Sequence, residues 1–291
     1  FMVKFFYKTK YIDSTSAWYA RSALVFFLIS TAGPFSLGYL MATGQGQSNW
    51  YYFAIYFYLH FQYNGFFLFG VLSLFFDLLE RKKVFVKETT AKTIGWILAA
   101  TCLPTYLLST LWAKPGISFN IVGGLSALLQ LIVLYMLIRL LSKNAIEIKK
   151  AFSKSSVYIL LITLLAFALK LLLQLISALP DIAQMAYELR PIVIAYLHMV
   201  LIGIISLTLF VWYIEFNLLG NDSGKRVILL FIISFVGMEM CLALIPWWAK
   251  LFGSNFFQAS KISFFFSAML SVSCLLLLVS SLGKKLIKIS S

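Results

Sequence analysis

The chain has 291 residues, of which 62% are hydrophobic and only 12% are charged, and its mean hydropathy is +0.93. A typical soluble domain has about 45–50% apolar and about 25% charged residues, so this composition excludes a soluble enzyme, a disordered chain and a secreted disulfide scaffold. The formal net charge of +14 is spread between apolar runs. That distribution argues against a nucleic-acid-binding surface.

Apolar runs of about 20 residues are the main feature of the chain, and this is the length that crosses a bilayer as an α-helix. They predict an all-α polytopic protein whose single membrane domain covers residues 1–291. Residues 1–21 mix aromatic side chains with lysines, which is typical of an interfacial segment on the cytoplasmic side. Eight runs are found, at residues 22–42, 51–76, 94–112, 117–138, 156–179, 191–214, 227–248 and 262–283.

The basic residues predict the orientation. Most of the 24 Lys and Arg side chains lie before the first run, after the eighth, or in the loops after runs two, four and six. By the positive-inside rule, both termini are then cytoplasmic and the protein resides in the cell's inner or plasma membrane. The first run is also too long for the apolar region of a cleavable signal peptide.

An internal repeat is suggested by short matches in the same order. Tyr58-Leu59-His60, followed by Gly65, recurs 138 residues later as Tyr196-Leu197-His198, followed by Gly203. Runs one and five show no match. We therefore predict two four-helix halves, residues 22–150 and 151–291, related by an axis along the membrane normal. Two further matches join runs three and seven and runs four and eight: Trp112-Ala113-Lys114 with Trp248-Ala249-Lys250, and Ser126-Ala127 with Ser267-Ala268.

Four ionisable side chains lie deep inside the runs: His60, Lys170, His198 and Glu239. At a rise of 1.5 Å per residue, all four lie roughly 12–15 Å below the outer boundary. Ionisable residues inside a membrane are costly and usually functional, so we expect these four to face the protein interior. Other polar residues inside the runs either join this layer or hold helices together: Gln62, Asn64, Gln130 and Gln174.

Simpler roles stay open for the same residues. Each histidine could hydrogen-bond a neighbouring helix. Lys170 could extend its amine to the membrane surface or form a buried ion pair with Glu239. The sequence contains no nucleophile triad, phosphate-binding loop or cysteine cluster, and therefore we predict no catalytic residues.

Two histidines at equal depth suggest haem, because imidazole is a common axial ligand of haem iron. His60 and His198 would be the metal ligands of a haem b, and Lys170 would bind a haem propionate. Gly65 and Gly203 would leave room for the macrocycle. A simple metal ion would need three or four ligands, and Glu239 is the one further ligand at that depth.

In this arrangement the chain resembles a shortened, divergent member of the haem–copper oxidase subunit I superfamily. That family is built from four-helix units around the membrane normal, and its functional histidines recur on the second helix of a unit, as His60 and His198 do here. The resemblance implies a haem-binding protein for electron transfer, gas sensing or support of a respiratory complex. A third four-helix unit and the family's adjacent histidine pair are absent, and Met199-Val200 follow His198 where the family has Pro-Glu, so dioxygen reduction is not implied.

Two other functions compete with haem binding. One is a transporter or channel with a midspan site of His, Lys and Glu side chains. The other is a cofactor-free membrane scaffold. In each case the expected partners are the lipid bilayer and either a respiratory-complex subunit or a second copy of the chain, and no nucleic acid is expected.

Overall fold

The structure is a computed structural model that describes residues 1–219, 222–248 and 256–290, with side chains over 1–219, 224–248 and 260–280. It is 88% helical, and the described residues contain no strand. Within these described ranges, eight helical stretches are long and apolar enough to cross a membrane. The prediction of an all-α polytopic membrane protein is therefore confirmed.

The first four spans are preceded by a short helix and followed by another. Span two contains a π-helical segment and span three ends in a 3₁₀ segment. The elements are α1 (Met2–Thr9), α2 (Thr15–Ser30) with α3 (Ala32–Ala42) as span one, α4 (Asn49–His60), the π segment Phe61–Phe67 and α5 (Leu68–Arg81) as span two, α6 (Glu88–Thr105) with the 3₁₀ segment Tyr106–Ala113 as span three, α7 (Ile117–Lys143) as span four, and the short α8 (Ala145–Ala151).

The last four spans repeat these irregularities. Span six contains a π-helical segment, and span seven ends in a 3₁₀ segment. The elements are α9 (Lys154–Ile176) as span five, the short α10 (Pro180–Glu188), α11 (Arg190–His198), the π segment Met199–Ser206 and α12 (Leu207–Glu215) as span six, α13 (Asp222–Leu244) with the 3₁₀ segment Ile245–Trp247 as span seven, and α14 (Phe256–Ser290), whose residues 260–280 form span eight.

Span one begins at Thr15, seven residues before the apolar run that predicted it. The reason is the polar start of the helix, where the Ser14 side chain accepts a hydrogen bond from the backbone N–H of Ala17. A side-chain cap stabilises the first turn of a helix even where the residues of that turn are polar, so the helix begins before the apolar run does. The interfacial segment, predicted to extend to residue 21, is in the structure the separate helix α1 and the loop that ends at Ser14.

Carboxylates at the ends of spans two and six contact the starts of spans one and five. Glu80 accepts hydrogen bonds from the backbone N–H of Ser16 at 3.1 Å and from its hydroxyl at 2.8 Å. Glu215 accepts one from the backbone N–H of Ser153 at 3.0 Å. A carboxylate suits this place because the first N–H groups of a helix lack backbone acceptors and carry partial positive charge. The starts of spans one and five thus have the same kind of contact, although the two spans show no match in sequence.

The start of span three is tied to the loop before span one. Lys92 donates to the Asp13 carboxylate at 2.7 Å and pairs with Glu88 at 2.5 Å. The hydrogen bond and the charge of Lys92 hold the pKa of Asp13 below its ordinary value. This side chain is exposed, so the pair orients the loop and adds little stability.

The chain divides into two compact units. The first contains residues 1–151 and 168–185, and the second contains residues 152–167 and 186–291. One boundary falls close to the predicted division at residue 150. The second half of α9 belongs to the first unit, unlike in the predicted halves. The four-plus-four repeat itself stays a prediction.

The core of the first unit is aromatic. The side chain of Tyr19 is fully buried, and its hydroxyl donates to the backbone carbonyl of Ala91 at 2.9 Å. Its ring lies 4.9 Å from that of Phe76 and 5.7 Å from that of Phe69. These contacts fix spans one, two and three against one another.

A close approach at Gly33 yields a prediction about stability. A methyl group added at Gly33 would lie 2.7 Å from the Tyr58 Cβ and 2.8 Å from the carbonyl oxygen of Ala54, whereas one at Gly38, in the same helix, meets nothing within 4 Å. We expect Gly33→Ala to destabilise the protein by about 1–3 kcal/mol and Gly38→Ala to be neutral or slightly stabilising. Thermal unfolding in detergent measures both, and equal melting temperatures would contradict the packing described.

The orientation remains a prediction from charge. We expect an alkaline phosphatase fusion after residue 291 to be inactive and a green fluorescent protein fusion at the same place to be fluorescent, because the basic loops stay cytoplasmic. An active phosphatase fusion would contradict the predicted orientation and place the residue 291 end outside the cytoplasm.

Candidate functional site

A buried chain of polar side chains connects spans five, four and three in the first unit. The Lys170 amine donates to the Gln174 Oε1 at 2.7 Å. The Gln174 amide donates to the Gln130 Oε1 at 3.1 Å, and the Gln130 amide donates to the Thr101 Oγ1 at 3.0 Å. None of the four side chains is more than 7% exposed. The sequence predicted three of these residues for the polar layer, and the structure brings them together.

Local geometry explains the order of this chain. Lys170 and Gln174 are four residues apart on α9, so they lie on the same helix face. The Thr101 hydroxyl donates to the backbone carbonyl of Ile97 at 2.7 Å within its own helix, which leaves its oxygen free to accept from Gln130. Thr101 was missed in the sequence because a threonine that bonds its own helix is common in membrane spans.

Lys170 does not extend to the membrane surface. Its side chain is 2% exposed, so the alternative of a surface-directed lysine is wrong. Among the described residues of the first unit, no carboxylate oxygen lies within 4.0 Å of its amine. The structure gives Lys170 an amide partner and gives Glu239 an imidazole partner, each within its own unit.

His60 is held by protein groups at both ring nitrogens. Its Nε2 lies 2.8 Å from the backbone carbonyl oxygen of Cys102, and its Nδ1 lies 3.3 Å from the Asn64 Nδ2. A carbonyl can only accept, so this pattern assigns the proton to Nε2 and makes Nδ1 the acceptor. The Thr105 hydroxyl donates to the same carbonyl at 3.1 Å. His60 therefore links spans two and three.

The other polar residues of span two have separate partners. The Gln62 amide donates to the Ser30 hydroxyl at 2.8 Å, and that hydroxyl donates to the carbonyl of Phe27. Gln62 thus joins spans one and two, as a polar residue that holds helices together would. The Asn64 Oδ1 is buried and has no hydrogen-bond partner in the described part of the chain.

In the second unit, His198 and Glu239 come together. The His198 Nδ1 lies 3.3 Å from the Glu239 Oε1, with side chains 34% and 18% exposed. The contact lacks hydrogen-bond geometry, so both buried atoms count as unsatisfied. We regard it as an electrostatic contact that a small rotation would turn into a hydrogen bond. Within the described residues, the His198 Nε2 has no hydrogen-bond partner.

A π-helical segment begins directly after each histidine, at Phe61 and at Met199. Such segments are rare and occur frequently at functional sites. Their placement at matched positions agrees with the offset of 138 residues between the two histidines. Nothing in the sequence predicted them, because a π segment has no strong composition signal.

The glycines near the histidines do not leave the expected space. A methyl group added at Gly65 would lie 2.5 Å from the Phe26 Cβ, and one at Gly203 would lie 2.9 Å from the Phe235 ring. The expectation of a slot for a macrocycle at these glycines is therefore wrong in this structure. Small residues in membrane helices let neighbouring side chains approach closely, and here aromatic rings take up that space.

Comparison with known proteins gives no match, whether with family models, curated proteins or solved structures. In the part of the chain that the structure describes, no three His, Cys, Asp or Glu side chains come together as a metal-binding group. The two polar clusters, around Lys170 and around His198, are the candidate functional sites.

The central place of Gln130 in the polar chain can be tested through stability. Gln130→Leu leaves the Gln174 amide without its acceptor and removes the hydrogen bond that the Thr101 hydroxyl accepts, so we expect a loss of about 1 kcal/mol or more in the free energy of unfolding. Leu129→Ala, at a neighbouring position that is 48% exposed, is the control. Detergent-induced unfolding measures both, and equal stabilities would show that the chain of hydrogen bonds carries no energy.

Proposed function

We propose that this helical membrane protein conducts protons, as a channel or transporter, and that Lys170 is the group that binds and releases the proton. The observation that supports this proposal is the buried Lys170 amine, which has one hydrogen-bond partner, Gln174, and no carboxylate within 4.0 Å among the described residues of its own unit.

The hydrogen-bond count at the amine supports exchange between two protonation states. An ammonium group has three N–H donors, and Gln174 accepts from one of them. Burying a charge without a counter-charge costs free energy, whereas the neutral amine keeps the Gln174 contact without that cost. Lys170 can therefore exist in both forms inside the protein, as a proton carrier requires.

The groups around Lys170 suit a fixed exchange site. Gln174 is held in turn by Gln130 and Thr101, so the amine sits in a set orientation. Amide and hydroxyl groups are not themselves protonated at neutral pH, and thus the proton enters and leaves by way of water.

Proton flux into liposomes tests the proposal. A potassium gradient with valinomycin sets the membrane potential. We expect dye-loaded liposomes that contain the wild-type protein to acidify faster than dye-loaded liposomes without protein. Lys170→Met should reduce the flux at least about tenfold, because it removes the titrating group and keeps the volume. The control is Leu169→Met, at an adjacent side chain that is 47% exposed. Wild-type flux equal to that of empty liposomes, or unchanged flux in Lys170→Met, would contradict the proposal.

Haem binding is the second candidate, and the His198 environment favours it. A histidine that ligates a metal usually has its other ring nitrogen held by a carboxylate or carbonyl. Here the Nδ1 of His198 lies beside Glu239 and its Nε2 has no partner among the described residues. A haem bound there would supply one-electron or gas-binding chemistry, in keeping with a relationship to the haem–copper oxidase subunit I superfamily.

The surroundings of His60 argue against haem ligation by that residue. Both ring nitrogens of His60 bond protein groups, and phenylalanine rings fill the space beside Gly65 and Gly203. The haem candidate therefore rests on His198 alone. Loss of an absorption band of added haem b in His198→Ala, with the band kept in His60→Ala, would support it. Absence of this absorption band in the wild type would contradict haem binding. Absence of both the band and proton flux would favour a cofactor-free scaffold.

A further inference from the structure

We infer that a groove between helix α1 and spans one and two is a binding site for one anionic phospholipid. An acyl chain would lie in the groove, and the phosphate would contact Lys4 and Lys8. The cavity has a volume of about 530 Å³, within the range of about 300–1,000 Å³ that is typical of small-molecule sites. Its lining is apolar and comes from three helices: Phe1, Met2, Val3, Leu24, Phe27 and Phe66.

The groove has a defined shape because α1 is fixed to span one. The Arg21 guanidinium donates to the backbone carbonyl of Thr9 at 2.9 Å and approaches that of Ile12 at 3.4 Å. These carbonyls lie at and just beyond the end of α1, where a cation also suits the helix dipole. The rings of Phe27 and Phe66, 5.1 Å apart, form part of the wall contributed by spans one and two. A concave site built from separate elements can hold one lipid longer than the convex surface of a span can.

The charge of α1 selects an anionic headgroup. Lys4 and Lys8 are exposed and four residues apart, so they lie on the same side of the helix. No Asp or Glu occurs in residues 1–12. The opposite side carries Met2, Phe5 and Phe6, which are half-buried. A short amphipathic helix of this kind lies in the membrane interface, at the level of the lipid phosphates, next to the mouth of an apolar groove.

Lipid retention tests the groove. The full chain is purified in a mild detergent, incubated with phosphatidylglycerol or with phosphatidylcholine of the same acyl chains, and analysed by native mass spectrometry. We expect one phosphatidylglycerol to remain bound to the wild type. Leu24→Trp should lose it by filling the groove, whereas Leu28→Trp, on the same helix at a side chain that is 60% exposed, should keep it. Helical circular dichroism checks that both variants fold. Equal retention by the two variants would overturn the proposal.

The headgroup contact has its own test. Replacing both lysines, as Lys4→Gln with Lys8→Gln, should remove the preference for phosphatidylglycerol over phosphatidylcholine. Each lysine near an anionic lipid contributes about fivefold in affinity, so removing two should lower the preference by roughly 25-fold. Lys82→Gln with Lys87→Gln, in the loop after span two, is the matched control. A wild type that binds both lipids equally, or an unchanged preference in the double variant, would overturn the proposal.

Discussion

Inside the hydrocarbon layer no water is available to hydrogen-bond a polar group, so the buried polar side chains of this protein depend on partners elsewhere in the chain. This constraint accounts for several hydrogen bonds between spans in the first unit. Gln62 reaches Ser30, His60 reaches the carbonyl of Cys102, and Lys170 reaches span three through two glutamines. The same contacts that satisfy polar groups therefore also position the helices.

The two histidines differ although their sequence surroundings match. His60 is saturated by a carbonyl and an amide, whereas His198 approaches a carboxylate and keeps Nε2 without a partner among the described residues. An imidazole with both nitrogens hydrogen-bonded to protein groups holds helices together. An imidazole with one nitrogen beside a carboxylate and the other without a partner among the described residues can bind a metal or exchange a proton.

Aromatic side chains occupy much of the space around the candidate sites. Tyr19 and its ring neighbours fill the centre of the first unit. Phe26 lies directly beside Gly65, and Phe235 lies directly beside Gly203. Within the first unit, Phe26 leaves little room beside Gly65 for a large cofactor. The groove at α1 lies by contrast at the membrane interface, where a charged helix and an apolar wall meet.

The sequence by itself determined the class, the number of spans and the candidate polar residues, because hydropathy follows directly from the cost of placing side chains in hydrocarbon. It could also place Lys170, Gln174 and Gln130 inside the membrane, since depth depends only on rise per residue. The tertiary structure decided which of them meet. Rotation around each helix axis and the packing of neighbouring rings gave Lys170 an amide partner, brought Glu239 to His198 and filled the space beside the glycines. Those outcomes depend on side chains from other spans, which no local pattern in one span specifies.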